Sequence, residues 1–208
     1  MTKEYQQPPE FTRDFFNDKH GLFFVDIGAN DGESWSNTLF LEKNLGWSGL
    51  CIEPHPTMFN KLVATRDVEC INVAVADKDG NADFLCIEGS WEANMLSGLV
   101  DKYDPQHRER VDKEYLRYGG TSTNIQVPVT TLQSILNTRN ISKIDYLSID
   151  TEGAELSILQ GLDLLNVDVT LISVETNYGR DVFDEFLGKY GFKFITKVAC
   201  DSFYAKNV

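Results

Sequence analysis

The chain has 208 residues, 42% of them hydrophobic and 25% charged, which is the composition of one globular domain with a sizeable core. Nineteen basic residues against thirty-two acidic ones leave a formal charge of −13, which repels phosphate backbones and sets aside nucleic-acid binding by charge neutralisation. No run approaches the ~18 apolar residues of a membrane span, and the N-terminal "MTKEYQQPPEFTRDFFNDKHG" has no apolar signal core. Cys51, Cys70, Cys86 and Cys200 form no C-x-x-C pair and read as free thiols in a reducing, cytoplasmic setting. Whether the domain belongs to a longer chain the sequence leaves open.

In chain order, "GLFFVDIG" (21–28) reads as a buried parallel strand ending at an acid and a glycine. "SWSNTLFLEKNLGW" follows as a helix, with Ser34 as cap, Trp35 and Leu39 one turn apart, and Gly46 as stop. "GLCIEP" (49–54) is the second strand. "TMFNKLVATR" (57–66) is a short helix with Phe59, Leu62 and Val63 on one face, and "VECINVAV" (68–75) the third strand. Alternating strands and helices mean right-handed crossovers and a parallel sheet. "DKDGNADFLCIE" (77–88) gives a turn and an extra strand. Residues 89–127 are polar, with little strand signal and weak helical periodicity around 108–118. They read as an insertion over the sheet edge, either a lid that binds the acceptor or a solvated loop. Regular structure resumes with a helix (130–140), a strand (143–150), a turn and helix (151–162), a strand (169–175) and a helix (180–191). Two strands, "FKFITKV" and "DSFYAK", close the chain and bring an antiparallel partner to the sheet edge. The expected fold is α/β: a Rossmann-like, seven-stranded, mostly parallel sheet with helices on both faces.

Open α/β sheets bind ligands beyond the carboxyl ends of their strands. At the first such end, Gly28-Ala29-Asn30-Asp31-Gly32-Glu33 lacks two of the three glycines of a dinucleotide fingerprint, and no P-loop lysine is near. Asp26 and Asp31 instead suit a ligand with positive charge and no phosphate. S-adenosylmethionine has an ammonium, a sulfonium and a ribose diol. Glycine lets its methionine portion approach closely, and Glu53, ending the second strand, is placed to accept both ribose hydroxyls. A tight turn followed by first-turn acids accounts for Gly28 and Asp31 but not for Glu53 as well.

With G-A-N-D-G, S-N-T, W-x-G-x-C-I-E-P and I-D-T-E-G all in order, the chain resembles the FkbM-type S-adenosylmethionine-dependent methyltransferases over roughly residues 20–205. The likeness is weakest across 89–127. It implies the class I methyltransferase architecture and transfer to hydroxyl oxygens of sugars and natural products. It also implies a cofactor pocket lined by Asp26, Gly28, Asn30, Asp31 and Glu53, with Ser36 and Asn37 close by. His55 fits no catalytic pattern and reads as a neighbour of the adenosine or as surface.

An aliphatic hydroxyl must lose its proton to attack, so a base or a metal is needed. Asp150 ends the fourth strand, Glu175 the fifth, and Glu152 and Glu155 follow Asp150. Asp150 or Glu152 acting as direct base is slightly favoured, since only two strand-end acids are obvious ligands for magnesium or manganese. Glu155 reads equally as a helix-dipole acid. His107 could reach the acceptor, though a loop histidine is more often solvated. Trp91, Tyr103, Tyr115 and Tyr118 could stack on sugar rings or simply pack a lid. The expected function is O-methylation of a glycan or small-molecule hydroxyl. A non-catalytic cofactor-binding module serving a partner enzyme is the alternative.

Overall fold

A computed structural model describes residues 7–206. It opens with helix α1 (Pro8–Phe15), strand β1 (Phe23–Ile27), helix α2 (Leu39–Leu45), strand β2 (Ser48–Ile52) and helix α3 (Pro56–Thr65). Then come β3 (Glu69–Ile71), β4 (Ala74–Val75), β5 (Gly80–Glu88), α4 (Trp91–Asn94), β6 (Gly98–Leu99), α5 (Pro105–Arg117) and β7 (Thr121–Thr130). The remainder carries α6 (Leu132–Arg139), β8 (Lys143–Ile149), α7 (Glu155–Gln160), β9 (Asp168–Glu175), α8 (Asp181–Gly188), β10 (Phe192–Val198) and β11 (Asp201–Lys206).

Seven strands form one mixed sheet in the order β10-β11-β9-β8-β1-β2-β3. The five from β9 to β3 run parallel, and β11 lies antiparallel between β9 and β10. The side-chain alternation of β1 shows how both faces are covered. Val25 and Ile27 join a core with Leu136 of α6, Ile158 of α7 and Leu187 of α8. Phe24, one step out of phase, packs with Phe11 of α1, Leu41 of α2 and Leu62 of α3. A pleat of period two thus buries helices on each side of the sheet.

Several elements differ from the sequence expectations. The helix read from Ser34 begins only at Leu39. Asp31 accepts the backbone N–H groups of Glu33 and Ser34 at 3.0 and 2.8 Å, and Ser36 Oγ those of Thr38 and Leu39 at 3.3 and 3.1 Å. Side-chain bonds of this kind compete with the helical ladder. Trp35 therefore stays out of the helix, at φ +56° and 62% exposed. On α3 the buried face is Met58 and Leu62, while Val63 is exposed.

The strand read over 68–75 is two strands. β3 stays in the main sheet, and β4 joins a second, four-stranded sheet of order β4-β7-β5-β6. The segment thought poor in strand supplies β6 and most of β7, which pairs with β5 from Gly80↔Val129 to Glu88↔Thr121. The outer half of β7, "TSTN", is exposed, so no apolar alternation marks it. Cross-strand pairing along β5 outweighs that weak local signal. The insertion is anchored by its own small core of Leu85, Ile87, Ala93, Leu96 and Val111. Helix α1, which buries Phe11, has no counterpart among the elements read from sequence. All four cysteines are free. Among the described residues no helix is long and apolar enough to cross a membrane.

Candidate active site

β2, β1 and β8 are neighbours, and backbone bonds tie their ends together. Asp150 N–H donates to Ile27 O, Gly28 N–H to Ile52 O and Glu53 N–H to Ile71 O, each at 3.0 Å. Gly28 has φ +87°, and a Cβ there would fall 1.7 Å from the Asp150 carbonyl oxygen. Only glycine lets these two strand ends close on each other. Beyond it, Asn30 turns at φ +50° and donates its N–H to Glu53 Oε2 at 2.8 Å. Glu53 Oε1 accepts from His55 N–H at 2.8 Å, so one carboxylate latches two loops.

A cavity of about 90 Å³ opens over these ends. Of the residues singled out from sequence, Asp26, Gly28, Asn30, Ser36, Asn37, Glu53, Asp150 and Glu152 line it. Asp31 is not among the lining residues; its carboxylate holds the loop through Glu33 and Ser34. His55 is buried rather than on the surface, and it too lines this cavity. Its Nδ1 caps α3 at the Met58 N–H and its Nε2 meets the Ile87 carbonyl at 3.0 Å. Met58, Phe84 and Pro54 give the cavity an apolar wall, and among the described residues no lysine or arginine lines it. Burial raises the Glu53 pKa to about 7, with the charges of Asp26 and Asp150 adding to it. Burial likewise raises Asp26, against the opposing pull of Arg66 and the Thr38 hydroxyl.

Asp26 rests on a buried chain of polar groups. Thr38 Oγ1 donates to Asp26 Oδ2 at 2.5 Å, Arg66 Nη2 donates to Thr38 Oγ1 at 2.9 Å, and Arg66 Nε donates to Glu42. Arg66 also reaches Ser36 Oγ at 3.3 Å.

A second cavity of about 330 Å³ adjoins the first and shares Trp35, Asn37, Met95, Asp150 and Glu152 with it. That volume is in the usual range for ligand pockets, roughly 300–1,000 Å³. Asp150, Glu152 and Glu175 each offer one carboxylate oxygen, all within 4.8 Å of one another. Burial, then the nearby Glu155 carboxylate, pushes Asp150 up to about 7. Burial and neighbouring acids hold Glu152 and Glu175 well above the carboxylate range. Glu152 sits at φ +59°, a costly conformation for a residue with a side chain. Glu155 fixes that turn, accepting at 2.9 Å from the N–H groups of Thr151 and Gly153.

His107 is on α5 and is buried, not solvated. It stacks on Tyr103, its Nδ1 is 3.2 Å from the Tyr178 hydroxyl, and its Nε2 is 3.0 Å from Glu152 Oε2. Burial, with help from Arg110, lowers its pKa to about 4. Tyr118 lines the second cavity, and the Trp91 side chain lies outside the described residues.

A model of the methyltransferase FkbM domain matches residues 26–194, which takes in both the glycine turn and the acid cluster. The chain belongs to the FkbM methyltransferase family. A search of curated proteins finds no match. Among solved structures, this FkbM domain is similar to methyltransferase FkbM from Methylobacillus flagellatus KT, with a TM-score of 0.50 and 14% identity. The alignment covers 90% of this chain and 44% of that one, so the domain spans less than half of its relative's length. At that identity the likeness speaks to the fold alone.

Sequence reasoning missed four parts of the FkbM domain's site: Arg66, Trp35, Arg110 and Asp201. Arg66 ends a helix and looks like an ordinary exposed base. Asp201 follows a turn between the last strands, and only the insertion of β11 beside β9 brings it opposite Glu175. An acid opening a strand that pairs with a site strand was the one available signal.

Proposed function

We propose that this FkbM domain is an S-adenosylmethionine-dependent O-methyltransferase acting on a sugar or glycan hydroxyl. The observation that carries this is the shared wall: Asp150 and Glu152 line both cavities, where a cofactor in one would meet an acceptor in the other. The first cavity fits the cofactor chemically. It presents carboxylates and no cation, a glycine that admits close approach, and an apolar wall for a purine. Asp26 would face the ammonium, Glu53 the ribose diol, and Phe84 and Met58 the adenine. The cavity is narrow, so Trp35 and Met95 at its border with the second cavity would swing outward to admit it. When bound, the cofactor supplies an electrophilic methyl group on a cationic sulfur.

Asp150, with its pKa near 7, would take the proton of the acceptor hydroxyl. A second reading has a specific observation behind it. Three carboxylate oxygens within 4.8 Å could serve as a donor set for magnesium or manganese, in which Glu152 would be the third ligand. Such an ion would lower the pKa of the acceptor hydroxyl, whose proton would then pass to solvent. The net charge of −13 argues against a nucleic-acid acceptor.

The test is calorimetry with S-adenosylmethionine and a labelled-methyl assay on neutral and charged methyl glycosides, with and without chelator. Methylated hydroxyls are expected. Chelator-insensitive turnover selects the base, and loss restored by magnesium or manganese selects the ion. Cofactor binding without transfer to any acceptor would favour the non-catalytic module, and no cofactor binding would reject the whole proposal.

A further inference from the structure

The second cavity holds a carboxylate that the proposed chemistry does not use. Asp201 opens β11 directly opposite Glu175. It is 3% exposed, it lines the cavity, and its Oδ1 has no hydrogen-bond partner. A buried acceptor atom is costly to leave unpaired, so a donor is expected from whatever fills the cavity.

Charge narrows the choice of donor. Among the described residues Arg110 is the one base lining the cavity, and its Nε already donates to Glu114 at 3.0 Å. Lys197, whose charge lowers Asp201, donates to the Thr176 carbonyl at 2.8 Å. Burial and mutual repulsion hold Asp150, Glu152, Glu175 and Asp201 above the ordinary carboxylate range where they face the same space, although Arg110 lowers Asp150 and Glu152. A hydroxyl would satisfy Asp201 Oδ1 yet do nothing to relieve the mutual repulsion that keeps these four acids from ionising together. A metal ion in the triad would compensate charge, but the triad is Asp150, Glu152 and Glu175 and does not include Asp201. An ammonium answers both needs, with three donors and a positive charge.

We propose that the acceptor is an amino sugar, whose ammonium is received by Asp201 and Glu175 while a neighbouring hydroxyl is presented to Asp150. This rests on the reading of the site as a sugar O-methyltransferase and names its substrate class. A cation held there also favours the ionised form of Asp150, so the acceptor would help prepare its own base.

The probes are the 2-amino, 2-acetamido and 2-hydroxy methyl glucosides and methyl glucuronide, titrated by calorimetry with and without S-adenosylhomocysteine, in EDTA. The amine is expected to bind at least tenfold more tightly than the acetamide or the hydroxyl compound, and the glucuronide not at all. In Asp201→Asn and Asp201→Ser that advantage is expected to shrink to threefold or less, with melting curves confirming folded protein. The wild-type ratio decides by itself should either variant fail to fold. An amine that binds no better than the acetamide, an advantage that survives both substitutions, or binding of none of the four overturns the proposal. Methyl transfer to a neutral glycoside would leave the broader function standing in that event. Failure of S-adenosylhomocysteine to bind would instead remove the broader reading, while the titrations without it still decide this one.

Discussion

Glu53 and Asp150 are both strand-end carboxylates with pKa values near 7, yet different consequences follow from removing each. Glu53 joins two loops through the N–H groups of Asn30 and His55. Glu53→Ala should weaken S-adenosylmethionine binding by about 1.5–3 kcal/mol, the usual cost of losing hydrogen bonds to a charged group. Calorimetry on a folded variant checks this, and unchanged affinity would put the ribose elsewhere. Asp150→Asn keeps shape while removing the base, so cofactor affinity should survive and turnover fall by roughly 10²–10⁴-fold. Since a base works only when deprotonated, wild-type kcat should climb as pH rises through about 7, and this limb should vanish in the variant. Asp26, Glu53 and Asp150 were legible because each ends a strand, and strand ends converge in any parallel sheet. Asp31 was misjudged because a short acid two or three residues before free N–H groups satisfies them locally. Asp201 and Arg66 were illegible because their partners are distant in sequence.

At the level of elements, the loop over 31–38 is held by groups that arrive from two helices. Glu42 of α2 and Arg66 after α3 form an ion pair whose side chains are 5% and 0% exposed. Arg66 also donates to Thr38, which donates to Asp26. Removing one partner from a buried pair leaves an uncompensated charge, a loss of roughly 3–5 kcal/mol. Arg66→Met should therefore lower unfolding stability by about that amount in urea, and it should weaken cofactor binding although Arg66 does not line the cofactor cavity. Loss of stability with intact affinity would show that the loop is set by its own turns. The parallel strands were readable as short apolar runs closed by acids and glycines. The second sheet was not, because β4 has two residues, β6 has two, and the exposed half of β7 is polar. Elements that short carry no periodicity; pairing with β5 defines β6 and β7, and pairing with β7 defines β4.

For the whole molecule, the cluster of raised carboxylates makes stability depend on pH in the direction opposite to a protein held by surface ion pairs. Glu53 has an ordinary value of 4.5 and a folded value of about 7, and Asp150 goes from 3.8 to about 7. Between those limits the unfolded chain has released these protons and the native chain retains them. The native state then binds more protons, and stability falls as pH rises. For these two the fall starts in the ordinary carboxylate range and is complete once pH passes about 7. Asp77, lowered to about 2 by the Ser157 hydroxyl and Lys102, acts with the opposite sign. Its contribution is lost only as pH drops below the ordinary carboxylate range; within the window from pH 5 to 8 the raised acids are opposed by His107, lowered from 6.5 to about 4, whose contribution rises with pH and is complete above about 6.5. The melting temperature of the free protein should accordingly decline by a few degrees from pH 5 to pH 8. Glu53→Gln, which cannot ionise, should flatten the decline. If S-adenosylhomocysteine binds with its ribose hydroxyls on Glu53, it would favour the ionised carboxylate and should raise the melting temperature more at pH 8 than at pH 5. Scanning calorimetry at four pH values measures all three effects. A slope unchanged in Glu53→Gln would assign the decline to general repulsion among the −13 charges. A melting temperature that rises across the window would mean these carboxylates ionise freely in the fold, and Asp150 would then lose its claim to a base poised near neutrality.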